Sequence, residues 1–131
     1  MQMMCNIMID CDAKYSMEHL IEVMVGANLR IKNNYGYMIA YREDDRRYYK
    51  TEGDLVKDFQ ERIIEAAIFW DENNEGIFVW WDLAVKPVKM TVSFDGWTIA
   101  QSMKKINDIC LSLINNNYHR GSGVFFSLEA G

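Results

Sequence analysis

Proline is almost missing: Pro87 is the only one in 131 residues. Cysteine occurs three times, at Cys5, Cys11 and Cys110, and histidine twice, at His19 and His119. An odd cysteine count leaves no complete intrachain disulfide framework, and without a CxxC pair the usual start of a zinc site is lacking. Two histidines far apart in sequence give no local support to a catalytic pair. No apolar run approaches the ~18 residues that span a bilayer. Residues 1–12 carry neither the basic n-region nor the long apolar h-region of a secretory signal, so the expected setting is cytoplasmic, with reduced thiols. Positive charge is short too: Lys and Arg number 14 against 19 Asp and Glu, a formal charge of −5. That balance argues against direct nucleic-acid binding, which usually needs a basic stripe, and it suits a basic protein partner.

The portable catalytic signatures are absent as well. The chain contains no GxGxxG, GxxxxGK, HExxH or GxSxG, motifs whose spacing places backbone amides, metal ligands or a nucleophile where the chemistry needs them. Gly121-Ser122-Gly123 precedes a strand pattern, whereas a phosphate cradle opens a helix. Asp10, Asp12, Glu18, His19 and Glu22 are hard-cation ligands by type, but their spacing fits no loop such as DxDxDG; they read as a strand-to-helix turn with acidic caps. Cys110 falls on an apolar helical stripe, and Cys5 and Cys11 share a strand face, positions where a thiol is inert. His19 and His119 are expected as separate surface residues. The expectation is therefore no catalytic residue, no metal and no cofactor, against a rival reading as a small hydrolase using Asp10, Asp12 and His19.

What the chain does have is core material. Half of it is hydrophobic and 13% aromatic, enough for one domain without staples. The clearest stretch is Gly76 to Asp95. Ile77, Val79, Trp81, Leu83 and Val85 alternate onto one face, and Val88, Met90, Val92 and Phe94 do the same, so a hairpin is expected. Its expected register pairs Leu83 with Met90, Trp81 with Val92 and Val79 with Phe94, through a loop of Ala84 to Pro87. Upstream, Met3 to Ile9 reads as a strand, followed by a helix capped by Ser16 and stopped by Gly26 as its C′ residue, with a helix running on to Ile31 as the alternative, since Ala27 and Ile31 continue its stripe. Asn28 to Lys32, Tyr37 to Arg42 and Tyr48-Tyr49 read as short strands. A second helix is expected from Thr51 to Trp70, with Leu55, Val56, Phe59, Ile63, Ala66, Ala67 and Trp70 inward. A third opens on a Thr98–Gln101 capping box and buries Ile99, Met103, Ile106, Cys110, Leu113 and Ile114. Val124, Phe126 and Leu128 close the chain as a strand. Strands and helices interleave without regular βα alternation, so the expected fold is a single α+β domain: a mostly antiparallel sheet of about six strands with three helices.

Two surface features point to binding. On the second helix, Asp54, Asp58, Glu61 and Glu65 fall at i, i+4, i+7 and i+11, within about 60° of one another at helical spacing. Lys57 can meet Glu61 and Asp58 can meet Arg62; Glu72, Glu43, Asp44 and Asp45 extend the field. Such a field steers and selects a cationic partner. On the hairpin, Phe78 and Trp80 sit on the side shared with Asp82, Lys89, Thr91 and Ser93, and Tyr35, Tyr37, Tyr41, Tyr48 and Tyr49 crowd the earlier strands. Aromatics dominate interface hot spots. The competing expectations are a solvated acidic helix face and a helix covering Phe78 and Trp80, or a homo-oligomeric adaptor assembling through those two rings.

In this general character, acidic, aromatic-rich and without motif, the whole chain resembles the small immunity proteins of bacterial polymorphic-toxin and contact-dependent growth inhibition systems. The resemblance implies a cytoplasmic, non-catalytic inhibitor that binds and neutralises a cognate toxin domain, often a basic nuclease, with its carboxylates standing in for phosphates. It assigns no site residue.

Overall fold

The computed structural model describes residues 3–10, 13–84, 88–120 and 123–130, with side chains placed for 3–6, 16–84 and 88–115. The elements are β1 (Met3–Asp10), α1 (Ala13–Gly26), β2 (Met38–Arg42), β3 (Asp45–Tyr49), α2 (Glu52–Gln60), β4 (Ala66–Trp70), β5 (Gly76–Asp82), β6 (Val88–Ser93), α3 (Ile99–Arg120) and β7 (Gly123–Ala130). The strands form one sheet in the order β3-β2-β4-β5-β6-β1-β7, and every neighbouring pair is antiparallel. The fold is α+β, with three helices and a seven-stranded sheet among the described residues.

Paired residues in an antiparallel ladder share a face. Ala40, Ala67, Val79, Val92 and Cys5 therefore form one row across five strands, each of them 0% exposed. The helices supply the other side of this core. Leu20 and Met24 of α1, Leu55 and Phe59 of α2 and Ile109 of α3 belong to the same buried cluster. Phe59 meets Trp81 edge-on, with ring centroids 5.0 Å apart. α1 packs against both α2 and α3, so the helices form one layer on the face that carries Val79 and Trp81.

The second helix is much shorter than the hydrophobic stripe implies. α2 begins as expected, with Thr51 as N-cap accepting the Asp54 N–H at 3.2 Å. It ends at Gln60, because residues 58–63 close a Schellman motif. The Arg62 N–H donates to Phe59 O at 3.1 Å, the Ile63 N–H donates to Asp58 O at 2.9 Å, and Arg62 takes a left-handed φ of 60°. Glycine usually signals such a stop; here arginine fills the position. Ala66, Ala67 and Trp70, read as helical, belong to β4. A short apolar run fits either period.

Other boundaries shift for similar local reasons. α1 starts at Ala13, and Ser16 is buried within it rather than capping it. Its C′ residue is Asn28, φ 59°, with the Asn28 N–H on Val25 O and the Leu29 N–H on Met24 O. Gly26 lies inside the last turn, where an added Cβ would collide with Ser112 Oγ; the glycine is there for helix contact. Residues 28–32 form only isolated bridges, Arg30 with Trp70 and Lys32 with Met38. The hairpin keeps its expected faces but moves its register by two residues: Val79 pairs Val92 and Trp81 pairs Met90. Asp82 Oδ1 accepts the Ala84 N–H at 2.9 Å, an Asx turn that ends β5 before Leu83. Val85 and Pro87, expected in this hairpin, are outside the described residues.

α3 has its Thr98–Gln101 capping box, with both reciprocal bonds at 3.1 Å. Its buried side is rotated from expectation. Ser102, Lys105, Ile106, Ile109, Ser112 and Leu113 face inward, while Ile99, Met103 and Ile114 are exposed. Polar groups tolerate this burial because α1 and the turn after it satisfy them: Ser112 Oγ donates to Val23 O at 2.6 Å and Lys105 Nζ to Ala27 O at 3.1 Å.

Candidate binding cleft

The face of the sheet opposite the helices carries Tyr41, Ala66, Trp80, Thr91 and Asn6 as one paired row. Phe78 is on the same face, two residues from Trp80. Both rings are directed away from the helix layer, so among the described residues the helix expected over them is not there. Trp80 remains 38% exposed. The Phe78 ring centroid is 5.2 Å from Tyr41 and 6.3 Å from Trp80. Ala66 stands between Tyr41 and Trp80 in the row and, itself buried at 6% exposure, lies at the floor of the space they border. The result is a cleft of about 460 Å³ lined by these rings, by the carboxylate residues Glu43, Glu65 and Asp82, and by Arg62. That volume falls in the range of ligand pockets, about 300–1,000 Å³.

Each rim residue is placed by the backbone. Glu43 follows β2 with a left-handed φ of 53°, and Arg62 has its left-handed φ of 60°. Two non-glycine residues in this region at one cleft each cost of order 1 kcal/mol or more, and such strain gathers at functional sites. The Glu65 N–H donates to Tyr41 O at 2.8 Å and Glu65 O accepts from the Trp81 N–H at 3.2 Å, which splices Glu65 between β2 and β5. Asp82 is held by its Asx turn. Among the described residues, no lysine, arginine or histidine nitrogen comes within 4.0 Å of the Glu43, Glu65 or Asp82 carboxylates; the ion pairs are Arg47–Asp45 at 3.4 Å and Lys105–Asp108 at 3.8 Å.

The candidate residues are thus regrouped. Glu65, Phe78, Trp80 and Asp82 meet at the cleft. Asp54 is exposed in the first turn of α2, and Glu61 is the exposed C-cap of that helix. Asp58 is half-buried and accepts the Tyr49 hydroxyl at 2.5 Å; burial, then this bond, pushes the Tyr49 phenol above its usual range. Glu72 borders a separate surface depression with Arg30 and Asn34. The continuous acidic stripe does not exist, because the helix that would carry it stops before Glu61, and the expected Lys57–Glu61 and Asp58–Arg62 pairs are not among the ion pairs of the described residues. Tyr41 and Glu43 are visible in the sequence as parts of an aromatic and acidic neighbourhood. Arg62 and Ala66 are not, since their place at the cleft depends on the end of α2 and on β4.

The remaining candidates do not line this cleft. His19 is buried in α1 at 3% exposure, not at the surface. Asp12 and Cys11 are outside the described residues, as are the side chains of Asp10 and His119. Among the described residues no group of three or more His, Cys, Asp or Glu is placed to hold a metal ion, and no helix is long and apolar enough to cross a membrane. Burial, then the neighbouring Cys110, raises the Cys5 thiol to about 12, and burial raises Cys110 as well. Both favour the inert thiol. No protein-family profile, curated protein or solved structure matches the chain.

Proposed function

We propose that the protein is a non-catalytic, cytoplasmic binding protein that captures and neutralises a basic protein partner. On the resemblance given above, that partner is a cognate toxin domain, often a nuclease. The binding surface in this reading is the sheet face opposite the helix layer, centred on Trp80, and not the flank of α2. The observation that carries it is the joining of exposed aromatic surface to carboxylates that no lysine, arginine or histidine nitrogen among the described residues approaches within 4.0 Å. Buried aromatic anchors supply interface energy, and an acidic rim supplies orientation and on-rate toward a positive surface.

The test is affinity capture from the native cell, followed by identification and reconstitution with the purified partner. A basic protein forming a salt-sensitive 1:1 complex, and losing its toxicity in it, supports the reading. Recovery of an acidic partner, a small-molecule substrate in place of a protein, or a homodimer dispersed by Trp80→Ala counts against it.

A further inference from the structure

We infer that the cleft between Tyr41 and Trp80 is a receptor for a guanidinium group, filled by an arginine side chain of the partner. This rests on the binding reading above and adds the chemistry of the contact. Neighbouring strands are about 4.8 Å apart, so the Tyr41 and Trp80 backbones, separated by the Ala66 strand, stand about two strand spacings apart. A flat group needs about 3.5–4.0 Å to each ring it contacts, and the cleft of about 460 Å³ bordered by these rings has room for one. Phe78 touches both rings and supplies a further aromatic wall. Glu43, Glu65 and Asp82 outnumber Arg62 on the lining.

The same row already holds one guanidinium. Arg46, paired with Tyr41 at the end of the row, places its Cζ 5.6 Å from the Tyr41 ring centroid. Its Nε donates to Tyr41 Oη at 2.9 Å. One side of Tyr41 is therefore served by the chain's own arginine. The space beyond, toward Trp80, offers a similar aromatic surface with carboxylates in addition. Arginine suits it better than lysine, because a guanidinium stacks on rings and meets carboxylates with two parallel donors, while an ammonium is a compact, strongly hydrated charge. Cation–π attraction is strongest over tryptophan.

The probe is the capped tripeptide Gly-Arg-Gly, compared with its lysine and citrulline counterparts, titrated into the ¹⁵N-labelled full-length protein. The readout is the Trp80 indole N–H resonance, assigned with Trp80→Phe among the four tryptophans. A saturable shift with the arginine peptide is expected, about tenfold weaker with citrulline, which keeps the shape and removes the charge. Glu65→Gln with Asp82→Asn should weaken arginine binding about fivefold or more while leaving the indole spectrum folded, because an asparagine side chain can keep the Asx turn. Equal response to citrulline, or saturation that moves Trp70 or Trp97 and not Trp80, overturns the inference. If the arginine peptide fails to bind while a captured basic partner still forms a salt-sensitive complex, the guanidinium site is wrong and the binding reading stands. If the peptide binds as described but the captured partner is not basic, the site stands and the toxin-binding reading falls.

Discussion

Replacing Arg62 separates two structures by the sign of one energy. In the structure Arg62 is the left-handed C′ residue that ends α2. That conformation costs an L-residue about 1 kcal/mol or more relative to glycine. Arg62→Ala removes the side chain and keeps the cost; Arg62→Gly removes both. The glycine variant should therefore be more stable than the alanine variant by about 1 kcal/mol, less what glycine loses through greater freedom of the unfolded chain. Were the helix to run unbroken to Trp70, as its hydrophobic stripe suggests, the same comparison would reverse: glycine inside a helix is about 1 kcal/mol worse than alanine. Allowing for that loss of about 0.4–1 kcal/mol, the two cases differ by about 1–1.6 kcal/mol, which paired urea denaturation curves with equal m-values resolve. In thermal unfolding the expected gain is at most about 4 °C for glycine over alanine. A glycine variant less stable than the alanine variant would refute the helix end, and with it the position of Glu65 at the cleft.

Other outcomes test the packing and the buried thiol. Gly26→Ala should destabilise by about 1–3 kcal/mol through overpacking, since the new Cβ meets Ser112 Oγ; adding Ser112→Ala should recover part of that loss in a double-mutant cycle. Phe59→Ala should cost about 3–5 kcal/mol and alter the near-ultraviolet dichroism of Trp81, its edge-on neighbour. Cys5, held protonated up to about 12 in the fold, ionises near pH ~8.5 when unfolded. Above that pH the unfolded chain binds fewer protons than the folded one. Stability is therefore intact below it and falls by about 1.4 kcal/mol per pH unit as pH rises toward the folded value. Urea midpoints on the two sides of the unfolded value, at about pH 8 and about pH 10, read this directly, and Cys5→Ala should flatten the difference.

Much of the fold is legible in the residues because local and tertiary preferences agree there. Alternation marks the faces of β5 and β6 and the first strand, and Thr98 with Gln101 marks the start of α3. Three features need information that local pattern does not carry. The end of α2 is set by backbone bonds around a non-glycine left-handed residue, and residues 66–70 satisfy both a helical and an alternating pattern. The hairpin register depends on the Asp82 carboxylate capturing the Ala84 N–H, which cuts the strand short without disturbing its faces. The rotation of α3 depends on Ser112 and Lys105 finding carbonyls at Val23 and Ala27, so polar residues take the inward side and Met103 and Ile114 the outward one. The cleft is half legible. Phe78, Trp80 and Asp82 share a strand face by simple alternation. Glu65, the residue before β4, reaches the cleft through its backbone bonds to Tyr41 and Trp81, and the helical stripe conceals that strand.

The most direct test of where the protein binds compares two sets of neutralised carboxylates against the purified partner at low and moderate salt. Glu65→Gln with Asp82→Asn should weaken the complex about tenfold or more and reduce its salt dependence, as expected for charges at the contact. Asp54→Asn with Glu61→Gln, on α2 and its C-cap, should stay within about twofold, the usual range for charges outside an interface. The opposite ranking would return the binding surface to the helix flank and contradict the assignment of the cleft.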